Sequence, residues 1–325
     1  MSQMKVAFLL FGLTVVMAAP VNAQQRIVTV PSGQLQRAGS QQAAGLLPPF
    51  VDATPLLEEA HSRLAARALS GEAAGAARAG ESVDYSVGDR KDFWVVNFSA
   101  GNSFPYAQQK KTAECRAVGT YAYYFVEVDE LDVVSDDDVA AFLDAFEVSN
   151  PDSPRNPSVG IYQNVTGVFG AVPDVDGDDR IVVLMTQIDS EASGAGGTAF
   201  FAGYFYAVNQ FADPVDFGGG ITQRSNFTEM LYVNSRMVGF ANSSDPDGTA
   251  AVHDFVESTI AHEFQHLIHW GNDPDEITAV NEGLSEYASY VCGYGLRGFA
   301  GYVARPNVDL LSWRQYRSSI DDYAR

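Results

Sequence analysis

Two histidines four positions apart, with a glutamate following the first, constrain this chain more than any other feature: His262, Glu263 and His266 read H-E-x-x-H. On a helix, both imidazoles project from one face one turn apart and can reach a single metal ion. Ile260, Ala261, Phe264, Leu267 and Ile268 supply the apolar face by which such a helix is buried. Sixteen positions beyond His266 stands Glu282, and Glu286 follows it by four. A second helix over 276–290 puts both carboxylates on one side, so one could bind metal while the other orients a ligand histidine. Two imidazoles and one carboxylate are a donor set for zinc that leaves a fourth position for water, and Glu263 stands beside the first ligand where it could hold that water. This is the pattern of a hydrolase site.

At these residues HEFQH followed by NEGLSE resembles the zinc metallopeptidases whose third ligand is a glutamate, the thermolysin-like or gluzincin group. The closer resemblance is to the hyicolysin family of secreted bacterial metallopeptidases. It implies zinc ligands at His262, His266 and Glu282, with Glu263 as the catalytic base. Glu286 stands where the group has an acidic residue bonded to the first histidine. It is a glutamate where thermolysin has aspartate, and the interval from His266 to Glu282 is shorter and lacks a tyrosine. The likeness extends more weakly over residues 85–313. It also implies a second, mostly helical lobe after the glutamate ligand, of which only about 40 residues follow Glu282, so the catalytic domain, 81–325, is expected to be incomplete at its C-terminal end.

The chain opens on Lys5, an apolar run over 6–19 and Val21-Asn22-Ala23, the order of a secretory signal peptide over 1–23. No later apolar run is long enough to span a bilayer. The expected protein is secreted or periplasmic, with no stable membrane insertion. Its 20 Lys+Arg against 41 Asp+Glu give a formal net charge of -21, which repels nucleic acid and favours cations. Cys115 and Cys292 are the only cysteines. In an exported chain they could form a disulfide, and a buried thiol at Cys292 fits its apolar helical setting equally well.

Residues 24–80 are rich in Ala, Gly, Gln and Arg, and read as a flexible leader or as a propeptide that covers the site. One helix is expected between Pro55 and Leu69, with His61 exposed on it. From Asp84 the texture changes to strands, expected over 93–98, 121–128, 181–185, 201–208 and 230–234. Ser135 with Asp138 caps a helix running to about 146. The site helix should cover 250–270. Strands followed by two long helices give an α+β class: a twisted mixed sheet packed against the H-E-x-x-H helix, then a glutamate-bearing helix, which is the zincin-like lobe that the resemblance implies. By the same resemblance, 203–208 is an exposed edge strand that pairs with an extended peptide substrate.

Asp174, Asp176 and Asp178 alternate around Gly177 in a tight acidic turn. Such oxygen ligands suit calcium, and a hydrated turn is the alternative. His253 and His269 read as structural or as groups supporting the ligands from behind, since a fourth protein ligand would fill the open position. The function expected from these features is a zinc endopeptidase acting on peptide or protein substrates. A zinc amidase or esterase for small molecules, and a secreted binding protein with the same fold but no turnover, are the alternatives.

Overall fold

The computed structural model describes residues 14–16, 27–29, 50–51, 53–70, 84–101, 103–188, 200–238 and 250–295. Most of residues 1–83, where the signal peptide and leader are expected, residues 239–249 and those after 295 lie outside the described residues.

Six strands form one mixed sheet: β1 (Arg90–Val96), β2 (Gln108–Val118), β3 (Ala122–Glu127), β4 (Ile181–Thr186), β5 (Gly203–Phe205) and β6 (Met230–Asn234), in the order β1-β2-β3-β4-β6-β5. The outer pairs are antiparallel, and β3-β4 and β4-β6 are parallel. β3 (AYYFVE) and β4 (IVVLMT) are buried along their whole length, as central parallel strands covered on both faces must be. The sheet curls until its ends meet. The Tyr204 hydroxyl accepts from Val96 N at 3.1 Å, and the Asn226 carboxamide brackets Trp94 N and Trp94 O at 2.8 and 2.9 Å.

The helices are α1 (Glu58–Leu69), α2 (Asp136–Leu143), α3 (Ile161–Phe169), α4 (Ala250–Asn272) and α5 (Thr278–Val291). α2 starts on a capping box made by Ser135 and Asp138, as expected, and runs on into a single π turn, Asp144–Val148. α4 lies across β6 and β5, and α5 packs against α4. Ile260, Ala261, Phe264, Leu267 and Ile268 are fully buried, so the apolar face anticipated for the site helix is the face it uses. Phe264 contacts the rings of Phe146 and Tyr162, tying α4 to α3.

Gly203 sets how closely α4 approaches the edge strand. A Cβ there would lie 2.6 Å from Tyr232 O, 3.0 Å from Thr259 Cγ2 and 3.4 Å from Glu263 Cγ. Only a residue without a side chain lets the helix that carries Glu263 sit this near β5.

Three expectations are corrected. Cys115 and Cys292 are buried free thiols and form no disulfide. Cys115 lies within β2 with its Sγ turned to Ala117 O, while Cys292 caps α5; burial pushes both thiols up, Cys115 to about 11. His61 is buried, 7% exposed, because α1 packs inward beneath Phe205, Tyr206 and Trp270. The stretch expected as one strand over 201–208 breaks into Phe200–Phe201, β5 and a 3-10 turn at Ala207–Gln210. Among the described residues, no helix is long and apolar enough to cross a membrane.

Candidate metal centre

α4 places His262 and His266 one turn apart, both almost wholly buried, and α5 brings Glu282 to them. The three side chains converge. His266 Nε2 and His262 Nε2 are 3.1 Å apart, Glu282 Oε2 is 3.3 Å from His262 Nε2, and Glu282 Oε1 is 3.5 Å from His266 Nε2. A tetrahedral ion with ligand bonds of about 2.0–2.1 Å separates its ligand atoms by about 3.3–3.4 Å. The observed spacings bracket that edge length, so this donor set could hold a small divalent ion.

The far side of the His266 ring sets which of its nitrogens carries the proton, and an acidic side chain faces the far side of His262. His266 Nδ1 lies 3.0 Å from Asn281 Oδ1, which can only accept, and 3.1 Å from Ser285 Oγ. The Ser285 hydroxyl is directed at Gln265 Oε1, which leaves its lone pair to the ring. His262 Nδ1 lies 3.4 Å from Glu286 Oε1, at ion-pair rather than hydrogen-bond distance. With Nδ1 of His266 protonated toward Asn281, its Nε2 lone pair points at the cluster, and the same tautomer of His262, with Nδ1 toward Glu286, would direct both lone pairs there. Two lone pairs held 3.1 Å apart repel one another unless a cation or a proton lies between them. Glu286 thus stands at the ring expected from its spacing, while Asn281 and Ser285 are a support the sequence reading missed. Their spacing of four along α5 was the available signal.

Glu263 is fully buried next to His262, and its Oε2 accepts from Thr54 Oγ1 at 2.7 Å. Thr54 in turn accepts from Phe205 N at 2.8 Å, and Ala53 N donates to Gly203 O at 3.1 Å. β5 is therefore the edge of the sheet, as expected, but its outer side is covered by the stretch leading into α1. Beside the cluster, a cleft of about 260 Å³ opens between α1 and the 273–277 turn, with His61, Phe205, His266, His269 and Trp270 among its walls. Burial, reinforced by nearby His266, pushes the His269 imidazole down to about 4, so it is neutral around pH 7. The side chain of His253 lies outside the described residues.

The acidic turn regroups. Asp174 and Asp176 come together with Glu229, which precedes β6, in a second set that could hold a cation. Asp178 is not part of it; its Oδ1 accepts from Arg180 N at 2.8 Å. Burial first, and Asp176 second, push the Glu229 carboxyl up to about 8; burial likewise pushes Asp178 up to about 6.

No protein-family model matches the chain, and no curated protein matches it significantly.

Proposed function

We propose that the chain is a zinc-dependent endopeptidase that hydrolyses peptide bonds of extracellular proteins, of the thermolysin-like kind that HEFQH and NEGLSE resemble. One observation carries the reading: His262 Nε2, His266 Nε2 and the Glu282 carboxylate face each other at 3.1–3.5 Å. Zinc fits this mixture of two nitrogens and one carboxylate, and when bound it supplies Lewis acidity to a water and to a carbonyl oxygen.

The chain's own residues do the rest. Asn281 and Ser285 hold the His266 ring, and Glu286 holds His262, so neither imidazole must reorient on binding. Glu263 takes the proton of the attacking water and returns it to the leaving amine, one carboxylate serving both steps. Its burial against α4's apolar neighbours excludes bulk water from that transfer. Gly203 O and Phe205 N on the outer edge of β5 are the acceptor and donor with which an extended peptide would pair beside Glu263, once Ala53 N and the Thr54 hydroxyl, which occupy them here, are displaced.

The test is metal analysis together with casein hydrolysis, before and after chelation and zinc replacement. Stoichiometric zinc, lost in His262→Ala, and hydrolysis that chelation abolishes and zinc restores are expected. Undiminished zinc in His262→Ala, or hydrolysis indifferent to chelation, would overturn the proposal.

A further inference from the structure

We infer that residues 53–69 are a built-in occupant of the peptide cleft: a 3-10 turn, Thr54–Leu57, sits against the outer edge of β5, Thr54 holds the Glu263 carboxylate, and the whole stretch must leave before substrate can enter. The word substrate rests on the peptidase reading; the seating does not.

Backbone contacts carry the first part. The short strand Phe50–Val51 runs parallel to Phe200–Phe201, and three residues on Ala53 N donates to Gly203 O at 3.1 Å. The outer edge of β5 offers its acceptor and its donor to whatever lies alongside, and here both are engaged by this one stretch. Phe205 N, the donor, is met by the Thr54 hydroxyl rather than by a carbonyl. An extended peptide cannot add to this edge while residues 53 and 54 occupy it.

Thr54 carries the second part. Its hydroxyl has one proton and free lone pairs, and both are used: it donates to Glu263 Oε2 at 2.7 Å and accepts from Phe205 N at 2.8 Å. A carboxylate that must accept a proton from water is thus already accepting one hydrogen bond from a buried side chain.

α1 secures the stretch. Leu57, Ala60 and Leu64 are fully buried, His61 Nε2 accepts from Ala207 N at 3.2 Å, and Arg67 Nη1 donates to Asp216 O at 2.7 Å. Tyr106 Oη donates to Leu56 O at 2.8 Å. From the first turns of α1, Glu58 and Ser62 line the remaining cleft beside His61 and His266. α1 and the 3-10 turn before it thus cover one continuous face of the site. Because the stretch belongs to the same chain, it competes with substrate at an effective concentration in the millimolar range while the chain is intact.

The experiment inserts a specific protease site between residues 71 and 83 of the full chain and compares cut with uncut protein. Peptide hydrolysis, zinc content and hydrogen exchange at the Phe205 amide are followed together. Cutting should raise hydrolysis at least about 10-fold on dilution, speed exchange at Phe205, and leave zinc content unchanged. A synthetic peptide of residues 50–69 added back should reverse both changes in proportion to its concentration. In the uncut chain, Thr54→Val should raise hydrolysis and Thr54→Ser should keep it low. If no form hydrolyses peptide while exchange at Phe205 and its reversal behave as stated, the seating stands and the peptidase reading falls. Equal hydrolysis and equal Phe205 protection before and after cutting would overturn the inference, and so would loss of the fold on cutting. Lower hydrolysis in Thr54→Val would also overturn it, by making Thr54 a positioning residue for Glu263 in a permanent wall.

Discussion

Asn281 Oδ1 accepts from the ring nitrogen of His266 that faces away from the cluster, at 3.0 Å, and so joins the two site helices at the point where their ligands meet. This bond sets the tautomer of His266 and fixes its rotation. Removing it in Asn281→Ala leaves only Ser285 Oγ, 3.1 Å from the same nitrogen. Loss of such an outer partner typically costs about 10–100-fold in metal affinity. A competition titration against a chromophoric chelator should place Asn281→Ala in that range, and the double variant with Ser285→Ala lower still. Parental zinc affinity in the double variant would remove the supporting role.

Glu286 should matter less. Its carboxylate is 3.4 Å from His262 Nδ1 and its side chain is 29% exposed, so water can replace part of what it provides. Glu286→Gln keeps an acceptor and should weaken zinc by less than Glu286→Ala, which belongs near the 10-fold end of the range of about 10–100-fold. The same titration orders the three variants. A larger loss for Glu286→Ala than for Asn281→Ala would show that the longer contact tightens when metal binds.

Glu263→Gln separates metal binding from proton transfer. The side chain is not among the converging donors, so zinc content should equal that of the parent. The amide cannot take a proton from water or return one to an amine. General acid–base catalysis contributes about 10²–10⁴-fold, and because one group serves both steps the loss in kcat should lie near the top of that span. It should be measured on the cut form, where residues 53–69 do not mask the rate. Equal rates for Glu263→Gln and parent would eliminate Glu263 as the base.

What the sequence made legible follows from how local the signal was. H-E-x-x-H on an apolar face is complete within two turns, and α4 carries it as spaced. IVVLM reads as a strand because a central parallel strand is apolar throughout, and β4 is buried at every residue. β2 escaped notice because QQKKTAECRAV looks polar. It is half-buried, and its charges are matched across the sheet, Arg90 with Glu114 and Lys110 with Asp92. α3 was missed too: IYQNVTGVF is short, with a glycine and four β-branched residues, and is held by packing against α4. The partners of the site were legible only in part. Glu286 lies one turn from Glu282, but Thr54 reaches Glu263 across 209 positions and Glu229 joins Asp174 across more than 50. Contacts of that range depend on how the sheet curls, which no local pattern encodes.

Gly203 is where a single methyl group would test the packing of α4 on β5. In Gly203→Ala the new Cβ meets Tyr232 O at 2.6 Å, a backbone atom of the neighbouring strand that cannot rotate away. The strand or α4 must shift, and overpacking of this kind costs about 1–3 kcal/mol. Urea unfolding should show that loss as a lower midpoint with unchanged slope. Because Glu263 Cγ is the third contact, kcat of the cut form should fall as well, whereas zinc affinity, set by α4 and α5, should change less. A variant as stable and as active as the parent would show that the helix has room to move.

The last expectation concerns pH and the second acidic group. Burial, and then the charge of Asp176, push the Glu229 carboxyl from its ordinary 4.5 up to about 8. Between those values the unfolded chain has released this proton and the folded chain retains it. Folded protein therefore binds more protons, so stability falls as pH rises through the window and the contribution is gone above about 8. Asp178, raised to about 6, and Asp176, also raised by burial, push the same way, while Lys91 partly offsets Asp176. The slope per fully linked group is at most about 1.4 kcal/mol per pH unit. In chelated buffer, Tm should decline steadily from pH 5 to pH 8, and Glu229→Gln, which removes the largest titration, should flatten the decline. Calcium held by Asp174, Asp176 and Glu229 would favour their ionised forms. Added calcium should then raise Tm most at pH 8 and least at pH 5. A Tm indifferent to pH across this window would show that Glu229 titrates as an ordinary carboxylate, and a calcium effect equal at both ends would place the cation elsewhere.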